Sequence, residues 1–386
     1  MRAKSVWKNV DILTILIMLL LSVLSLFIIG SATKPLLPAG SQLYFVHRQM
    51  AWIILGLITI VIVSLIPYEK FRILSPYLYW GSVLLLAFVL VKGHTALGAQ
   101  RWINVGPFQL QPSEFAQVAV IVTLATHLSQ KERITRWRDF ISPGLHVLLP
   151  MLLILKQPDL GTTLVFVAIT AGMLFMTSSF WKWVIIFPIG FLTVVLWVYL
   201  HFRFHIPIPM HQYQLNRLLV FINPQRAPLG AGFNEIQSRI AVGSGGLLGT
   251  GIFTAHFNQL SFLPESYTDF IYAVVGEELG FVGSAALLLV YLLLLARGMY
   301  IANRAKDRYG MLLAAGVVSM FAFQVIESAG MVSGIMPVAG IPLPFMTYGG
   351  SAFITDAAAI GILINVYMRR SDPSYKRTAS VTQVVQ

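Results

Sequence analysis

Residues 12–32 read ILTILIMLLLSVLSLFIIGSA, an unbroken stretch without a single charge. A helix that crosses the hydrocarbon core of a bilayer needs roughly 20 mostly apolar residues, so this run marks the chain as a membrane protein. Met1-Arg2-Ala3-Lys4 before it has the look of a secretory signal, but no clean small-residue cleavage site follows and nine more apolar runs do, so the run reads as an uncleaved helix. Those runs lie at approximately 50–66, 73–91, 113–129, 141–155, 160–179, 183–200, 269–296, 311–334 and 348–368. Several contain Pro or Gly, which a span tolerates where neighbouring helices satisfy the freed backbone groups. The expected fold class is therefore an all-α polytopic membrane protein with ten transmembrane helices, a single membrane domain over residues 1–386. A large extracytoplasmic loop, 201–268, is expected between helices 7 and 8, and a short cytoplasmic tail at 369–386.

Composition excludes most other classes. Of the 386 residues 57% are hydrophobic and 11% charged, with a mean hydropathy of +0.76, whereas a soluble domain carries about a quarter charged residues. The absence of Cys excludes a disulfide scaffold, thiolate metal sites, Fe–S clusters and a Cys nucleophile. Lys and Arg number 27 against 15 Asp and Glu, a net +12. Ten spans place both termini on one side, and by that topology 18 of the 27 basic residues share the side of the termini and nine lie opposite. Both termini are therefore expected in the cytoplasm, and the basic excess calls for no nucleic acid.

The 201–268 segment is too long for a mere connector. It is punctuated by Pro207, Pro209, Pro224, Pro228 and Pro264 and carries the cluster Gly243-Ser244-Gly245-Gly246. Phe233 to Leu247 alternates in a way that suits a short helix on or dipping into the membrane interface. No internal repeat supports an inverted-repeat transporter.

Carboxylates are costly in hydrocarbon and usually line a cavity or an ion path. Glu114, Asp269, Glu277, Glu278, Glu327 and Asp356 fall in or at the ends of the spans, and Asp159 in a very short outward link. At about 100° per residue, Glu277 lies about 80° around a helix from Asp269, and Glu278 about 180°. Asp269 and Glu277 could thus border one cavity while Glu278 faces elsewhere. Asp269, near the first turn of its helix at the outer water boundary, reads either as a general base or as a favourable helix N-terminal charge. On the same outward side Arg101, Arg217, Arg226 and Arg239 outnumber Glu235 and Glu265. Arg forks suit phosphates, and the glycine cluster could present backbone N–H groups to one. The same residues also fit headgroup snorkelling and turn chemistry. His201 and His205 have i, i+4 spacing but lack the Glu of H-E-x-x-H, so no dedicated metal site is expected. A divalent cation, Mg2+ or Mn2+, bridging carboxylates and a pyrophosphate is the more plausible ion.

Six strings occur in order: Gln111-Pro112-Ser113-Glu114; Gln157-Pro158-Asp159-Leu160-Gly161-Thr162; Gln237-Ser238-Arg239-Ile240-Ala241 running into the glycine cluster; Leu263-Pro264-Glu265 with Thr268-Asp269-Phe270; Glu277-Glu278-Leu279-Gly280; and Gly340-Ile341-Pro342-Leu343-Pro344 with Tyr348-Gly349-Gly350-Ser351. Together, over roughly residues 45–370, they resemble the SEDS family of bacterial cell-wall proteins (RodA, FtsW and SpoVE). The short tails and Met331-Val332-Ser333-Gly334 resemble its elongation branch most.

The resemblance implies a peptidoglycan glycosyltransferase in the bacterial cytoplasmic membrane that polymerises lipid II at the outer face and releases undecaprenyl pyrophosphate. It implies as partners a class B penicillin-binding protein, which supplies transpeptidation, and other membrane proteins of the elongation complex. It makes Asp269 the expected catalytic residue, deprotonating the acceptor hydroxyl. Arg101, Glu114, Arg217, Gln237, Ser238, Arg239, Ser244 and Glu277 are the expected substrate-binding residues. The family pattern has a Lys three residues after Glu114; here Gln117 stands there, with Arg101 the nearest candidate substitute in sequence. A second departure is Ser328, where the pattern has Asn. A lipid II flippase, an ion-coupled transporter using Glu114, Glu277, Glu278 and Glu327, and a structural scaffold are the competing readings.

Overall fold

The computed structural model describes residues 9–36, 38, 41–96, 99–106, 108–130, 136–178, 180–204, 212–226, 231–254, 263 and 265–370. Each of the ten apolar runs coincides with a helix. In chain order these are α1 (Ile12–Thr33), α2 (Tyr44–Leu65), α3 (Tyr68–Lys92), α4 (Pro112–Ser129), α5 (Ile141–Lys156), α6 (Leu160–Phe175) and α7 (Phe180–Phe204). Two helices of the 201–268 segment follow, α8 (Gln212–Ile222) and α9 (Ala231–Ser244), and then α10 (Ile271–Arg304), α11 (Arg308–Val332) and α12 (Gly350–Met368). Among the described residues seven helical segments are long and apolar enough to cross a membrane.

Burial separates centre from rim. The apolar windows of α11 and α12 are 72% and 78% buried, against 28% for α2 and α3. The two central helices therefore pack on neighbours all round, while the peripheral ones keep an apolar face outward, as a lipid-facing helix must. Small residues permit the closest approaches: at Gly361 of α12 a Cβ would meet Val63 of α2 at 2.8 Å.

Helix ends follow their sequence. Asp159 caps α6 by accepting from Thr162 N at 3.0 Å, and Asp307 caps α11 by accepting from Gly310 N at 2.7 Å. The last carbonyls of α2 are taken by side chains of α12 and its end. Asn365 Nδ2 donates to Val63 O and Ile66 O, and Arg369 to Ser64 O and Leu65 O. Arg369 is thus tied into the helical body, although the sequence assigns it to the tail; residues 371–386 lie outside the described residues, as do His205 and Pro264.

The structure corrects the all-α expectation at one place. His94–Ala96, Ala99–Val105 and Phe108–Leu110 form a three-stranded antiparallel sheet, β1-β2-β3, between α3 and α4. Gln100-Arg101-Trp102-Ile103-Asn104-Val105 does not alternate, but Trp102, Ile103 and Val105 are residue types that favour strands and Gly106 follows them as a turn residue. Beside the glycine cluster lies a second departure, because α10 is not one continuous helix. Gly280, with φ 65° and ψ −164°, breaks it, and the segment after α9 repairs the break. Phe281 N and Val282 N, which lose their usual acceptors, donate to Gly246 O and Leu247 O at 2.9 and 3.1 Å. The freed carbonyls of Glu277 and Glu278 accept from Thr250 N and Gly251 N, both at 3.0 Å. These four loosened backbone groups thus find partners, as a low-dielectric environment requires. The cluster Gly243 to Gly246 thus leads into a strap across the broken helix.

Candidate active site

Asp269 sits in the turn that leads into α10. The turn is closed by Thr268 N and Phe270 N, which both donate to Glu265 O at 3.2 Å, and by Thr268 Oγ1, which donates to Glu265 Oε2 at 2.8 Å. It is stitched to the segment between α11 and α12 by Tyr348 N donating to Tyr267 O at 3.0 Å. Phe45, Tyr267 and Tyr348 close over that seam, each pair of rings 5.0–5.8 Å apart. The Asp269 carboxylate lies against Gly340: a Cβ there would stand 2.9 Å from Oδ2. Gly340 also has φ 71°, a conformation that L side chains adopt at a cost.

Ala339, the residue before, joins three elements. Its N–H donates to Glu327 Oε1 of α11 at 3.0 Å, and its carbonyl accepts from Arg217 of α8 at 3.2 Å. A Cβ on Gly161 of α6 would meet that carbonyl at 2.6 Å. Arg101, on β2, reaches the turn between α5 and α6. Its Nε donates to Gln157 O at 3.1 Å, a terminal nitrogen donates to Pro158 O, and the other lies 3.6 Å from Asp159 Oδ2.

These groups set the state of Asp269, which is partly exposed. Burial pushes its carboxyl up to about 6, and the charge of Glu265 pushes the same way. Arg217, Arg101 and, with opposite sign, Asp159 also act on it. A carboxyl with that value is largely ionised at neutral pH yet far more basic than an ordinary aspartate, which suits a general base. The structure therefore brings together Asp269, Arg217, Arg101 and, behind Ala339, Glu327.

The other expected substrate-binding residues take different places. Glu114 is buried on α4, accepting from Gln117 Nε2 at 3.1 Å, while Gln117 Oε1 accepts from Gln324 of α11 at 3.3 Å. Gln117 itself thus partners Glu114, and Arg101, the substitute suggested by sequence, is directed to Asp159. Arg239 pairs with Glu235 one turn back and donates to Gly334 O at 3.5 Å. Ser238 and Ser244 donate to carbonyls of their own helix, Glu235 O and Ala241 O, and Gln237 is partly exposed on the same helix. Glu277 is buried and its carbonyl belongs to the helix-break repair. Ala339 and Gly340 escaped sequence reasoning as site residues. Glycine at 340 was visible in its string, but a contribution made through backbone has no chemical signature in a side chain.

The model of the FtsW/RodA/SpoVE family, described as cell cycle proteins, matches residues 11–372. The chain belongs to this family. Peptidoglycan glycosyltransferase MrdB of Escherichia coli K12 is 37% identical over 380 residues, covering 95% of this chain and 96% of MrdB. Stage V sporulation protein E of Bacillus subtilis is 37% identical over 366 residues, covering 92% and 96% of the two chains. Among solved structures, a chain described under structural coordination of polymerization and crosslinking by a peptidoglycan synthase complex matches with a TM-score of 0.76 at 29% identity. It covers 93% of this chain and 97% of that one. The rod shape determining protein RodA of Thermus thermophilus matches with a TM-score of 0.67 at 28% identity, covering 95% and 99%. This family member is thus a multi-pass helical membrane protein related over nearly its full length to peptidoglycan glycosyltransferases.

Proposed function

We propose that the chain is a peptidoglycan glycosyltransferase that polymerises lipid II at the outer face of the bacterial cytoplasmic membrane during cell elongation. The observation that carries the mechanism is the partly exposed Asp269 carboxylate lying against Gly340, with Arg217 held on the carbonyl of Ala339 one residue earlier. Burial raises the proton affinity of that carboxylate, and Arg217 and Arg101 lower it. Asp269 accepts the proton of the acceptor sugar hydroxyl as its oxygen attacks the anomeric carbon of the donor. The bond from that carbon to the pyrophosphate breaks, and undecaprenyl pyrophosphate leaves with the electron pair. Arg217 and Arg101 lend positive charge to the developing anion, and the Gly340 backbone leaves room beside the base.

A topology of ten spans with both termini in the cytoplasm puts Asp269 at the outer end of α10. It is supported by the ten helices and by the split of basic residues. A class B penicillin-binding protein is the proposed partner for crosslinking, a reading supported by the synthase-complex relative. Other elongation-complex membrane proteins are proposed alongside it. For a divalent cation, no group of three His, Cys, Asp or Glu side chains among the described residues forms a cage. An Mg2+ or Mn2+ ion at this site would rest chiefly on the substrate's pyrophosphate and would neutralise its charge.

The test is a gel assay of polymer formed from purified lipid II, with and without a class B partner. Asp269→Asn should lower the rate about 100-fold or more, the usual weight of a general base, with folding and partner binding retained. Polymerisation by Asp269→Asn at the normal rate would remove Asp269 as the base, whereas no polymer from the wild type, with or without the partner, would overturn the enzyme reading and favour a flippase.

A further inference from the structure

An apolar cleft lies at the other end of the α5–α6 hairpin from the Asp269 site. Its volume is about 420 Å3, and its walls include Trp137, Phe140, Gly144, Met151, Val167 and Trp183. The walls are almost wholly apolar; Thr170, a polar residue on them, donates its hydroxyl to Phe166 O of its own helix at 2.7 Å. The mouth has the opposite character. Lys182 Nζ stands 5.8 Å from the Trp137 ring centroid and 5.4 Å from that of Phe140. Arg136 and Arg138 are exposed on the same turn. Asp139, the acid of that turn, accepts from Arg136 N at 2.8 Å, so its carboxylate is drawn into the local backbone.

An apolar slot with cations and an indole at its rim has the chemistry of a lipid site. The dimensions agree. From Phe140 to Met151 a helix rises about 16 Å, close to the depth of one leaflet, about half of a 30 Å core. On the proposed topology this rim lies at the cytoplasmic surface, the face where anionic lipids attract basic residues. We propose that the cleft between α5, α6 and the start of α7 binds one acyl chain of an anionic phospholipid of the cytoplasmic leaflet, its phosphate held by Lys182 with Arg136 and Arg138. The site is separate from the polymerising site and needs no turnover to be read, so its failure and that of the catalytic reading are distinguishable.

Gly144 offers a clean test, because a Cβ there meets nothing within 4 Å. A leucine at 144 should occupy the slot without disturbing the helices. The full-length chain in detergent is titrated with phosphatidylglycerol or phosphatidylcholine, and bound lipid is counted by native mass spectrometry. Phosphatidylglycerol is expected to bind the wild type more tightly than phosphatidylcholine. Lys182→Gln should weaken phosphatidylglycerol about fivefold, the weight of one basic residue at an anionic surface, and leave phosphatidylcholine unchanged. Gly144→Leu should weaken both lipids while glycan polymerisation stays at the wild-type rate. Equal binding of the two lipids by wild type, or unchanged binding in both variants, would overturn the proposal. So would displacement of phosphatidylglycerol by undecaprenyl phosphate at a lower concentration than phosphatidylglycerol itself requires, which would make the cleft a polyprenyl site.

Discussion

Arg217 donates to the carbonyl oxygen of Ala339 at 3.2 Å, one residue before the glycine on which the Asp269 carboxylate rests. The guanidinium of α8 is thereby anchored to the backbone that also walls the proposed base. One residue both fixes the segment and biases the proton affinity of Asp269.

Arg217→Ala should therefore shift the pH dependence as well as the rate. Arg217 holds the Asp269 carboxyl down. Without it the carboxyl titrates above about 6, and the acid limb of polymerisation against pH moves to higher pH. Apparent lipid II affinity should fall as well, with an overall loss of about tenfold to a hundredfold if the guanidinium also meets the leaving pyrophosphate. Arg217→Lys should restore the position of the acid limb while recovering only part of the affinity, because an ammonium lacks the fork. An acid limb that stays in place in the alanine variant would remove Arg217 from this electrostatic role.

Glu265 should act with the opposite sign. Its charge helps raise the Asp269 carboxyl, while its Oε2 accepts from Thr268 Oγ1 at 2.8 Å. Glu265→Gln keeps an acceptor for that hydroxyl and removes the charge. The acid limb is expected to move to lower pH, so that activity persists further into acid. A pH profile of the purified variant checks this, and an upward shift contradicts the assigned field.

Gly340→Ala separates backbone conformation from crowding of the base. Gly334 and Gly340 share φ 71°, so alanine at either should pay a similar left-handed penalty of about 1–2 kcal/mol. Their neighbours differ, because a Cβ at 340 faces Asp269 Oδ2 whereas at 334 it meets the Arg239 guanidinium. Both variants should lose a few degrees of thermal stability, but Gly340→Ala should lose at least about ten times more polymerising activity. Equal activity in the two would mean that the space beside Asp269 is unimportant.

What could be seen in the sequence was whatever scarcity made conspicuous. The ten apolar runs are visible because span length is imposed by the bilayer, and each run coincides with a helix. Asp269, Arg101 and Arg217 stood out because only 11% of the chain is charged, and the structure groups them. Arg239 stood out equally, yet it is turned to Glu235 and Gly334. Charge alone does not say toward which neighbour a long side chain reaches. The sheet carrying Arg101 was hidden in a segment too short for periodicity to speak loudly. The break in α10 was hidden more deeply, since Leu279-Gly280-Phe281 inside an apolar run is compatible with a continuous helix. The partners that stabilise the break come from residues 246–251, thirty or so positions earlier.

That non-local exchange makes Gly280 and Thr250 a contrasting pair. The Gly280 backbone, at φ 65° and ψ −164°, lies in a region essentially confined to glycine, where another residue costs about 1–3 kcal/mol. A Cβ there would also stand 2.7 Å from Leu247 O, a backbone atom that cannot move aside alone. Gly280→Ala should thus displace the strap and leave the N–H groups of Phe281 and Val282 without acceptors, each a loss of about 1–3 kcal/mol when buried. Thr250 contributes twice, through its N–H and through Oγ1, which donates to Glu277 O at 3.1 Å. Thr250→Val removes only the hydroxyl contribution and keeps the backbone bond, so its expected cost is about 1 kcal/mol. Thermal unfolding in detergent should therefore rank wild type above Thr250→Val and Thr250→Val well above Gly280→Ala. A Gly280→Ala protein as stable as wild type would mean that the helix can run straight through the break, and that the strap is held by some other interaction.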